Sequence, residues 1–351
     1  MFYLFEIIYD ICNQVNLNPY KRHVKIRPIL YFNKRLVGLL MLLCVQFLSL
    51  AQDPTFTQFY SNPLYLNPAL AGATGCPRIS LNYRNEWPQL TGNYVTYSAA
   101  YDSYVKDIKG GVGVIAMYDQ QAEGTISTTM LGGIYSYNLK INRKVSLNFG
   151  VRAAYIQKYL DWNKLTFGDM IDPRRGFIYQ TGDVPRGGRR GLFDASAGMI
   201  VFSKYFYGGF AAHHINQPDE SMILGTSKLP MRLTVHAGGT IPIGRRGRYS
   251  DGTTIKPAVI YQYQNGFQEF NIGGYLNYER LNVGVWYRNR DAMVFIVGVK
   301  ADKFRLGYSY DLTVSKLGNG LTGGSHEVSF QMDLKCRKKA KNFRKISCPS
   351  F

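Results

Sequence analysis

Apolar and polar residues alternate along most of the chain after residue 78. Residues 281–288 read LNVGVWYR and residues 304–311 read FRLGYSYD, so an apolar side chain occupies every second position. Neighbouring side chains of a strand point to opposite faces, so this period of two predicts strands with one apolar and one polar face. The polar faces carry Arg and Asp, which suits a hydrated lumen better than a dry sandwich core. The pattern predicts an all-β protein, a transmembrane β-barrel of the outer-membrane type.

The composition agrees with membrane-spanning strands rather than helices. The mean hydropathy is −0.18, whereas each membrane helix needs roughly 20 mostly apolar residues. Aromatic residues nevertheless make up 14% of the chain. A barrel accounts for both values, because only every second strand residue faces lipid.

Fourteen antiparallel strands are predicted from the alternation and from the turn residues that bound it. An even number lets every strand of a bacterial barrel pair on both sides, so that no backbone edge faces lipid. The predicted strands are 79–86, 93–104, 111–119, 124–138, 144–158, 193–203, 205–213, 231–243, 253–264, 267–278, 280–288, 292–300, 303–311 and 325–335.

The lengths of the connections predict how the barrel is oriented. Most connections after even-numbered strands are short, whereas the longest ones, 159–192, 214–230 and 312–324, follow odd-numbered strands. Barrels of this class have short periplasmic turns and longer external loops. Both termini of the barrel are therefore expected to be periplasmic, with the basic connection 244–252 as an exception to the length rule.

Residues 1–51 predict a secretion signal rather than part of the fold. The apolar run 36–50 follows two basic residues and ends in small residues before Gln52, which is typical of a signal and its cleavage site. The long stretch before the run suggests that residues 1–23 belong to a misplaced start. An uncleaved helical anchor is the alternative. Export in this form predicts a location in the cell outer membrane.

The segment 52–78, between the signal and the first strand, is too irregular for a strand and too apolar for a free tail. Its residues 52–75 contain three prolines among several aromatic residues. We expect it to lie in or under the lumen as a periplasmic plug. Its candidate partner-binding residues are Phe56, Phe59, Tyr60 and Tyr65.

Aromatic residues near the predicted strand ends are expected to form interfacial girdles, with ordinary core packing as the alternative. These residues are Trp87, Tyr155, Tyr159, Trp162, Tyr275, Tyr278 and Trp286.

Two basic segments are candidate partner-binding surfaces. The connection 159–192 carries Arg174 and Arg175, and it fits a lid or a docking surface as well as a solvated loop facing lipid headgroups. The barrel domain, 79–335, is followed by a periplasmic tail, 336–351, with six basic and no acidic residues. Nucleic acid is not expected there, so an acidic protein surface or outer-membrane lipid is the expected partner; a disordered tail is the alternative. The candidate tail residues are Arg337, Lys338, Lys339, Arg344 and Lys345.

Three cysteines remain after the predicted signal: Cys76, Cys336 and Cys348. An oxidising compartment allows disulfides to persist. Closure of a barrel brings the start of the first strand beside the end of the last one, and thus Cys76 near Cys336. The sequence leaves open which two of the three pair.

Motifs for catalysis, cofactors or metals do not stand out. The sequence has no HExxH, CxxC or GxSxG pattern. A barrel hydrolase built on His214, Asp219 and Glu220 would need a nucleophile within reach of His213 or His214. We predict a protein that is not an enzyme, with no catalytic, cofactor-binding or metal-binding residues.

The run QDPTFTQFYSNPLYLNPALAGATG, followed by RISLNYRNEWP, resembles the PorP/SprF family of type IX secretion system outer-membrane proteins from the Bacteroidota. So do YLDWNKLTFGDMIDPRRGFI, HHINQPDES, LPMRLTVHAGG and the terminal CPSF. The resemblance covers nearly the whole chain after the signal. The long tail with two cysteines is more similar to the SprF branch, which is associated with gliding motility, than to the PorP branch.

This resemblance implies a barrel that works beside the secretion translocon. It implies support for the export or surface attachment of cargo, notably large adhesins, through binding of the secretion machinery and of cargo C-terminal sorting domains. It implies no catalytic residues. The alternative is a channel or transporter for small hydrophobic molecules, similar in architecture to fourteen-stranded fatty acid transporters. A plugged lumen would favour the first function, and an open lumen with an apolar pocket would favour the second.

Overall fold

The computed structural model describes residues 53–172, 174–179, 181–182, 188–222, 225–243, 252–315 and 318–334. The predicted signal, 1–51, and the predicted tail, 336–351, lie outside the described residues. Within the described ranges, no helix is both long and apolar enough to cross a membrane.

Fourteen antiparallel strands form one closed sheet, which confirms the predicted barrel and its strand number. Each strand pairs with its neighbours in sequence. The sheet closes through the first and last strands, which pair from Arg78↔Asp333 to Glu86↔Ser325. The strands are β1 Arg78–Glu86, β2 Tyr94–Val105, β3 Gly110–Gln121, β4 Ile126–Lys140, β5 Val145–Leu160, β6 Arg189–Ser203, β7 Phe206–His213, β8 Arg232–Gly239, β9 Thr254–Gln264, β10 Phe267–Tyr278, β11 Leu281–Arg288, β12 Ala292–Lys300, β13 Phe304–Thr313 and β14 Ser325–Asp333.

The remaining elements are short. The two-residue strand Ile241–Pro242 pairs with the start of β9, and Ile171–Asp172 pairs with Gly176–Phe177 in a separate ribbon. Among the described residues, the α-helices are α1 Pro63–Leu66 and α2 Asn319–Thr322; the 3₁₀ turns are Phe59–Ser61, Pro68–Leu70, Ala122–Gly124, Trp162–Lys164 and Gly168–Met170.

The alternation in the sequence becomes an apolar exterior and a largely polar interior. In β11, Leu281, Val283 and Val285 are exposed on the outer face, whereas Trp286 and Arg288 are buried in the lumen. A contiguous apolar exterior of this extent is unfavourable in water and is what hydrocarbon requires.

The girdle prediction is wrong for two residues. Trp286 and Tyr275 are buried inside the barrel, where their rings lie 5.6 Å apart in an edge-on arrangement. Trp286 lies between Gly284 and Arg288 on the polar alternation of β11, so its parity already pointed inward. Tyr155 and Tyr278 do lie exposed on the outer face.

The two ends of the barrel differ in their connections, as predicted. The chain enters β1 and leaves β14 at the same end, which we call the short-turn end. There β2 and β3 are joined by residues 106–109, and β10 and β11 by residues 279–280. The opposite, long-loop end carries the connections 161–188, 214–231 and 314–324.

A lipid-facing charge should destabilise this barrel. Leu131, near the middle of β4, is exposed on the outer face. We expect Leu131→Arg to lower the free energy of unfolding in lipid by about 2–4 kcal/mol, because the cation enters hydrocarbon. Leu321→Arg in α2, equally exposed but at the long-loop end, is the matched control and should change it by less than about 0.5 kcal/mol. Equal losses measured by urea titration would contradict a lipid-facing β4.

Candidate functional site

Residues 53–72 cross the lumen from one end of the barrel to the other. Asp53 bonds His214 and Gln264 at the long-loop end. The backbone N–H of Gly72 donates to Asp102 Oδ2 (2.8 Å), near the short-turn end of β2. We call residues 53–72 the lumen segment. It therefore does not stay beneath the barrel, and its first described residue lies at the end opposite to the one where β1 begins.

Thr57 anchors the part of the lumen segment nearer the long-loop end in a network of buried charged side chains. Its hydroxyl donates to Asp311 Oδ2 (2.7 Å) and accepts from Arg288 Nη2 (3.0 Å) and from Arg84 Nη1. Its backbone N–H donates to Glu327 Oε2 (2.6 Å). A hydroxyl has one donor and two acceptor sites, so every hydrogen-bonding site of this hydroxyl is used.

The next residues follow the lumen face of β14 toward the short-turn end. The Gln58 side chain donates to the carbonyl of Glu327 (3.1 Å) and accepts from Ser329 Oγ (2.6 Å). Gln331 Nε2 then donates to the carbonyls of Tyr60 and Ser61 (3.3 and 2.9 Å). The lumen segment thus contacts three alternate residues of β14, Glu327, Ser329 and Gln331, which are buried in the lumen.

The part of the lumen segment nearer the short-turn end packs against a row of small residues in the barrel wall. Gly111, Ser136, Gly150, Gly198 and Ala211 face one another on five successive strands. A Cβ at Gly150 would lie 2.3 Å from the backbone nitrogen of Ala69, and one at Gly111 would lie 2.1 Å from the carbonyl oxygen of Ala71. Because these residues are small, the wall has a hollow at this row, and the backbone of the lumen segment packs directly on the backbone of the wall.

Asn67 fixes the lumen segment within that hollow. Its Nδ2 donates to the carbonyls of Met199 and Phe210, both at 3.1 Å, and its Oδ1 accepts from the N–H of Ala69. A Cβ at Gly198 would lie 2.2 Å from this Oδ1. Only glycine at position 198 leaves room for the amide.

The four predicted partner-binding aromatic residues are all buried in the lumen. Phe59 packs on Trp286 (ring centroids 5.5 Å apart), and Tyr60 packs on Tyr207 (5.7 Å). Phe56 packs on Tyr65 (5.4 Å), and Tyr65 lies under the guanidinium of Arg232 (4.7 Å). Their partner-binding role stays a prediction, since in this arrangement the barrel wall covers them.

A second charge network holds the first described residue at the long-loop end. His214 lies between two carboxylates, with Nε2 at 2.8 Å from Asp53 and Nδ1 at 2.8 Å from Asp194. Arg232 Nη1 is 3.3 Å from Asp53, and Arg152 Nη2 is 3.2 Å from Asp194. His214 has a backbone φ of 56°, a left-handed conformation that His and Asn tolerate better than most residues.

The charged neighbours in this network determine the direction in which the pKa values of His214 and Asp53 shift. Burial alone would lower the pKa of His214, but the carboxylates of Asp53 and Asp194 outweigh it and raise that pKa. Burial alone would raise the pKa of Asp53, but His214 and Arg232 outweigh it and hold that pKa low. The contact between Asp53 and His214 is therefore an ion pair at mildly acidic pH.

The external ribbon, residues 167–182, presents the two predicted arginines. Asp172 Oδ1 accepts from the backbone N–H groups of Arg174 and Arg175, both at 2.8 Å, and so shapes the tip. Both arginines are exposed. Large apolar side chains are exposed on the same ribbon: Ile171, Ile178 and Tyr179.

Cys76 is disulfide-bonded. Its two predicted partners, Cys336 and Cys348, lie outside the described residues, as do Arg337, Lys338, Lys339, Arg344 and Lys345. The N–H of Leu334 donates to the carbonyl of Pro77 (2.9 Å), so the end of β14 lies beside the residue that follows Cys76. Which cysteine pairs with Cys76 stays a prediction.

The residues considered for a hydrolase do not come together. Asp219 pairs with Arg190 (3.3 Å) and Glu220 pairs with Lys158, while His214 bonds carboxylates. Among the described residues, no group of three or more His, Cys, Asp or Glu side chains is arranged to hold a metal ion.

Residues 48–332 match the family described as "Type IX secretion system membrane protein PorP/SprF". The chain belongs to the PorP/SprF family. The closed barrel with its apolar exterior, together with this family, places the protein in the outer membrane as a component of the type IX secretion system. The family is one of secretion-system membrane proteins and not an enzyme class.

Several solved outer-membrane proteins share a limited likeness with this PorP/SprF protein. It is similar to Omp33 of Acinetobacter baumannii, at 10% identity over 74% of this chain and 100% of that chain, with a TM-score of 0.40. It is similar to the toluene transporter TodX of P. putida, at 10% identity over 76% and 92%, with a TM-score of 0.43. It is also similar to the CymD monoaromatic hydrocarbon channel, at 12% identity over 78% and 93%, with a TM-score of 0.42. A search of curated proteins finds no match.

Sequence reasoning missed the polar anchors of this PorP/SprF barrel, Thr57, Asp53 and His214. The sequence held a partial signal, because Arg84, Arg288 and Glu327 all occupy the polar alternation of their strands. Charges on an inward face predict buried partners. What no local pattern shows is that Thr57, which is more than two hundred residues from Arg288 and Glu327, is a partner of both.

The small-residue row should be required to seat the lumen segment. We expect Gly150→Val to push the segment out of the hollow, since the new side chain overlaps the backbone of Ala69. Chymotrypsin should then cut the segment at its aromatic residues at least about tenfold faster, because cleavage follows the opened population. The control is Gly133→Val on the outer face of β4, where a Cβ meets nothing within 4 Å. Equal cleavage rates, followed by mass spectrometry, would contradict this seating.

The His214 contact should make stability depend on pH. Because the folded pKa of His214 is raised above its ordinary 6.5, its contribution is fully present below about pH 6.5 and is lost as the pH rises through the raised value. The variant His214→Asn suits the left-handed backbone and removes the titration. We expect wild type to exceed the variant in unfolding free energy by roughly 1–3 kcal/mol at pH 5.5, and the difference to shrink as the pH rises above 6.5. A pH-independent difference would contradict a protonated His214.

Proposed function

We propose that this protein is a non-enzymatic component of the type IX secretion system that acts by binding proteins, and not as a conduit for small molecules. The observation that carries the proposal is the occupied lumen, since the lumen segment spans it from the long-loop end to the short-turn end. A barrel filled in this way is suited to serve as a rigid membrane anchor for binding surfaces at its ends.

The partners proposed are the secretion machinery and the C-terminal sorting domains of cargo. The cargo proposed is the large adhesins of gliding motility, in line with the SprF-like tail. The external ribbon supports this, because Arg174 and Arg175 stand exposed beside the exposed Ile178 and Tyr179. Arginine and aromatic residues are enriched in the binding centres of protein interfaces.

The second candidate is a channel or transporter for small hydrophobic molecules. One cavity between the lumen segment and the wall, lined by Phe56, Tyr65, Arg232 and Gln262 among others, has a volume of about 10 Å³. That is room for about one water molecule, whereas pockets for drug-sized ligands measure roughly 300–1,000 Å³. This cavity is therefore too small for such a ligand.

Removing the lumen segment should open the barrel to ions. We expect deletion of residues 53–71 to raise single-channel conductance in a planar bilayer at least about tenfold, since a fourteen-stranded barrel without its filling is wide enough for water. Deletion of residues 336–351 is the truncation control and should leave the conductance low. Unchanged conductance in the first variant would sink the idea of a plug.

Affinity purification from outer membranes tests the partner proposal directly. Wild type should recover secretion proteins or cargo. Recovery should fall at least about tenfold in Arg174→Glu/Arg175→Glu, because the reversed charges repel an acidic surface. The matched control is Arg290→Glu, an exposed arginine on another connection at the same end. Recovery of lipid alone by the wild type would count against the leading proposal.

A further inference from the structure

The two ends of the barrel carry different charge. In the described connections of the short-turn end, seven basic residues stand against three acidic ones, and Lys140 and Lys300 extend the basic set at the ends of β4 and β12. In the described connections of the long-loop end, five basic residues stand against seven acidic ones, and Arg189 and Arg190 add two basic residues at the start of β6. The seven described connection residues of the short-turn end and the two strand-end lysines are all exposed: Lys106, Lys109, Lys140, Arg143, Lys144, Lys204, Arg280, Lys300 and Lys303.

Exposed apolar side chains are interleaved with these cations. Ile108 is 41% exposed within the turn that carries Lys106 and Lys109, and Ile141 is 56% exposed beside Lys140. Lys204 lies 4.8 Å from the ring centroid of the exposed Tyr205. Isoleucine at the tip of a turn gains nothing from facing water. Cations beside exposed apolar and aromatic groups fit the boundary between acyl chains and anionic headgroups.

The cations are also distributed around the whole rim. They occupy the turns between β2 and β3, β4 and β5, β6 and β7, β10 and β11, and β12 and β13. Because the sheet is closed, these turns face different sides of the barrel. A protein docked on one side would meet only some of them, whereas lipid surrounds the rim completely.

We propose that this short-turn ring binds the phosphate groups of anionic phospholipids in the leaflet that contacts the short turns. Each turn places one or more cations at headgroup level, with an apolar side chain in the acyl region next to it. The ring sets the depth of the barrel in the membrane. The proposal does not depend on any secretion partner.

Native mass spectrometry of the full-length protein tests the proposal. The protein is equilibrated with equal amounts of phosphatidylglycerol and phosphatidylcholine in mixed micelles, and the retained lipids are counted. The ring variant carries Lys106→Gln, Lys144→Gln, Lys204→Gln and Arg280→Gln, one substitution in each of four turns. The control variant removes the same charge from the long-loop end with Lys164→Gln, Arg189→Gln, Lys228→Gln and Arg290→Gln.

We expect wild type and control to retain phosphatidylglycerol over phosphatidylcholine by roughly fivefold or more, and the ring variant to retain both nearly equally. Equal enrichment in all three proteins, or an equal loss in control and ring variant, would overturn the proposal. If the ring variant does not fold, wild type alone decides. Its enrichment should fall at least about threefold when the ionic strength rises from about 0.1 M to about 1 M, and a salt-independent ratio would overturn the proposal as well.

Discussion

In hydrocarbon a backbone N–H or C=O has no water to bond, so every strand must pair on both sides. The pairing of β1 with β14 meets this requirement and closes the sheet at fourteen strands. Closure also fixes the width of the interior. The wall side chains of about eight strands are enough to fill a barrel, so fourteen strands leave a lumen that the wall alone cannot fill. In this protein residues 53–72 occupy it, and most of the remaining architecture follows from how they are held.

The interior combines two kinds of packing. Apolar clusters join wall and lumen segment, as where Phe59 and Tyr60 meet Trp286. Between these clusters lie buried charged side chains. Arg84 pairs with Asp311, and Arg288 pairs with Asp311 and Glu269. A buried charge that loses its partner costs several kcal/mol, and Thr57 donates and accepts within this network. The lumen segment is therefore as much part of the core as any strand. Removing it would take two backbone N–H donors from Glu327 and would take Asp53 and Tyr65 from Arg232.

A filled barrel separates the tasks of the protein in space. The outer face contacts lipid, and the side chains of the interior stabilise the fold. The two ends carry the exposed charged surfaces: the external ribbon with its arginines at one end, and the basic, partly apolar ring at the other. This division suits a type IX secretion component better than a pore, because a pore needs its lumen. The ion pair of Asp53 with His214 lies where the lumen segment meets the connections of the long-loop end.

The sequence by itself determined the wall. A period of two persists over fourteen segments because one face of each strand meets lipid and the other does not, and the lengths of the connections marked the two ends. The alternation even placed Trp286 and Arg288 inside. The tertiary structure decided what fills the wall and where each residue finds its partner. Gly111, Gly150 and Gly198 are far apart in the chain, and only the successive pairing of β3 with β4, of β4 with β5 and of β5 with β6 brings them into one hollow that admits Ala69 and Asn67. Thr57 and Glu327 meet only because the barrel closes. Periodicity is a local property imposed by the solvent on either side of a strand, whereas such contacts depend on the relative positions of strands, which no single segment encodes.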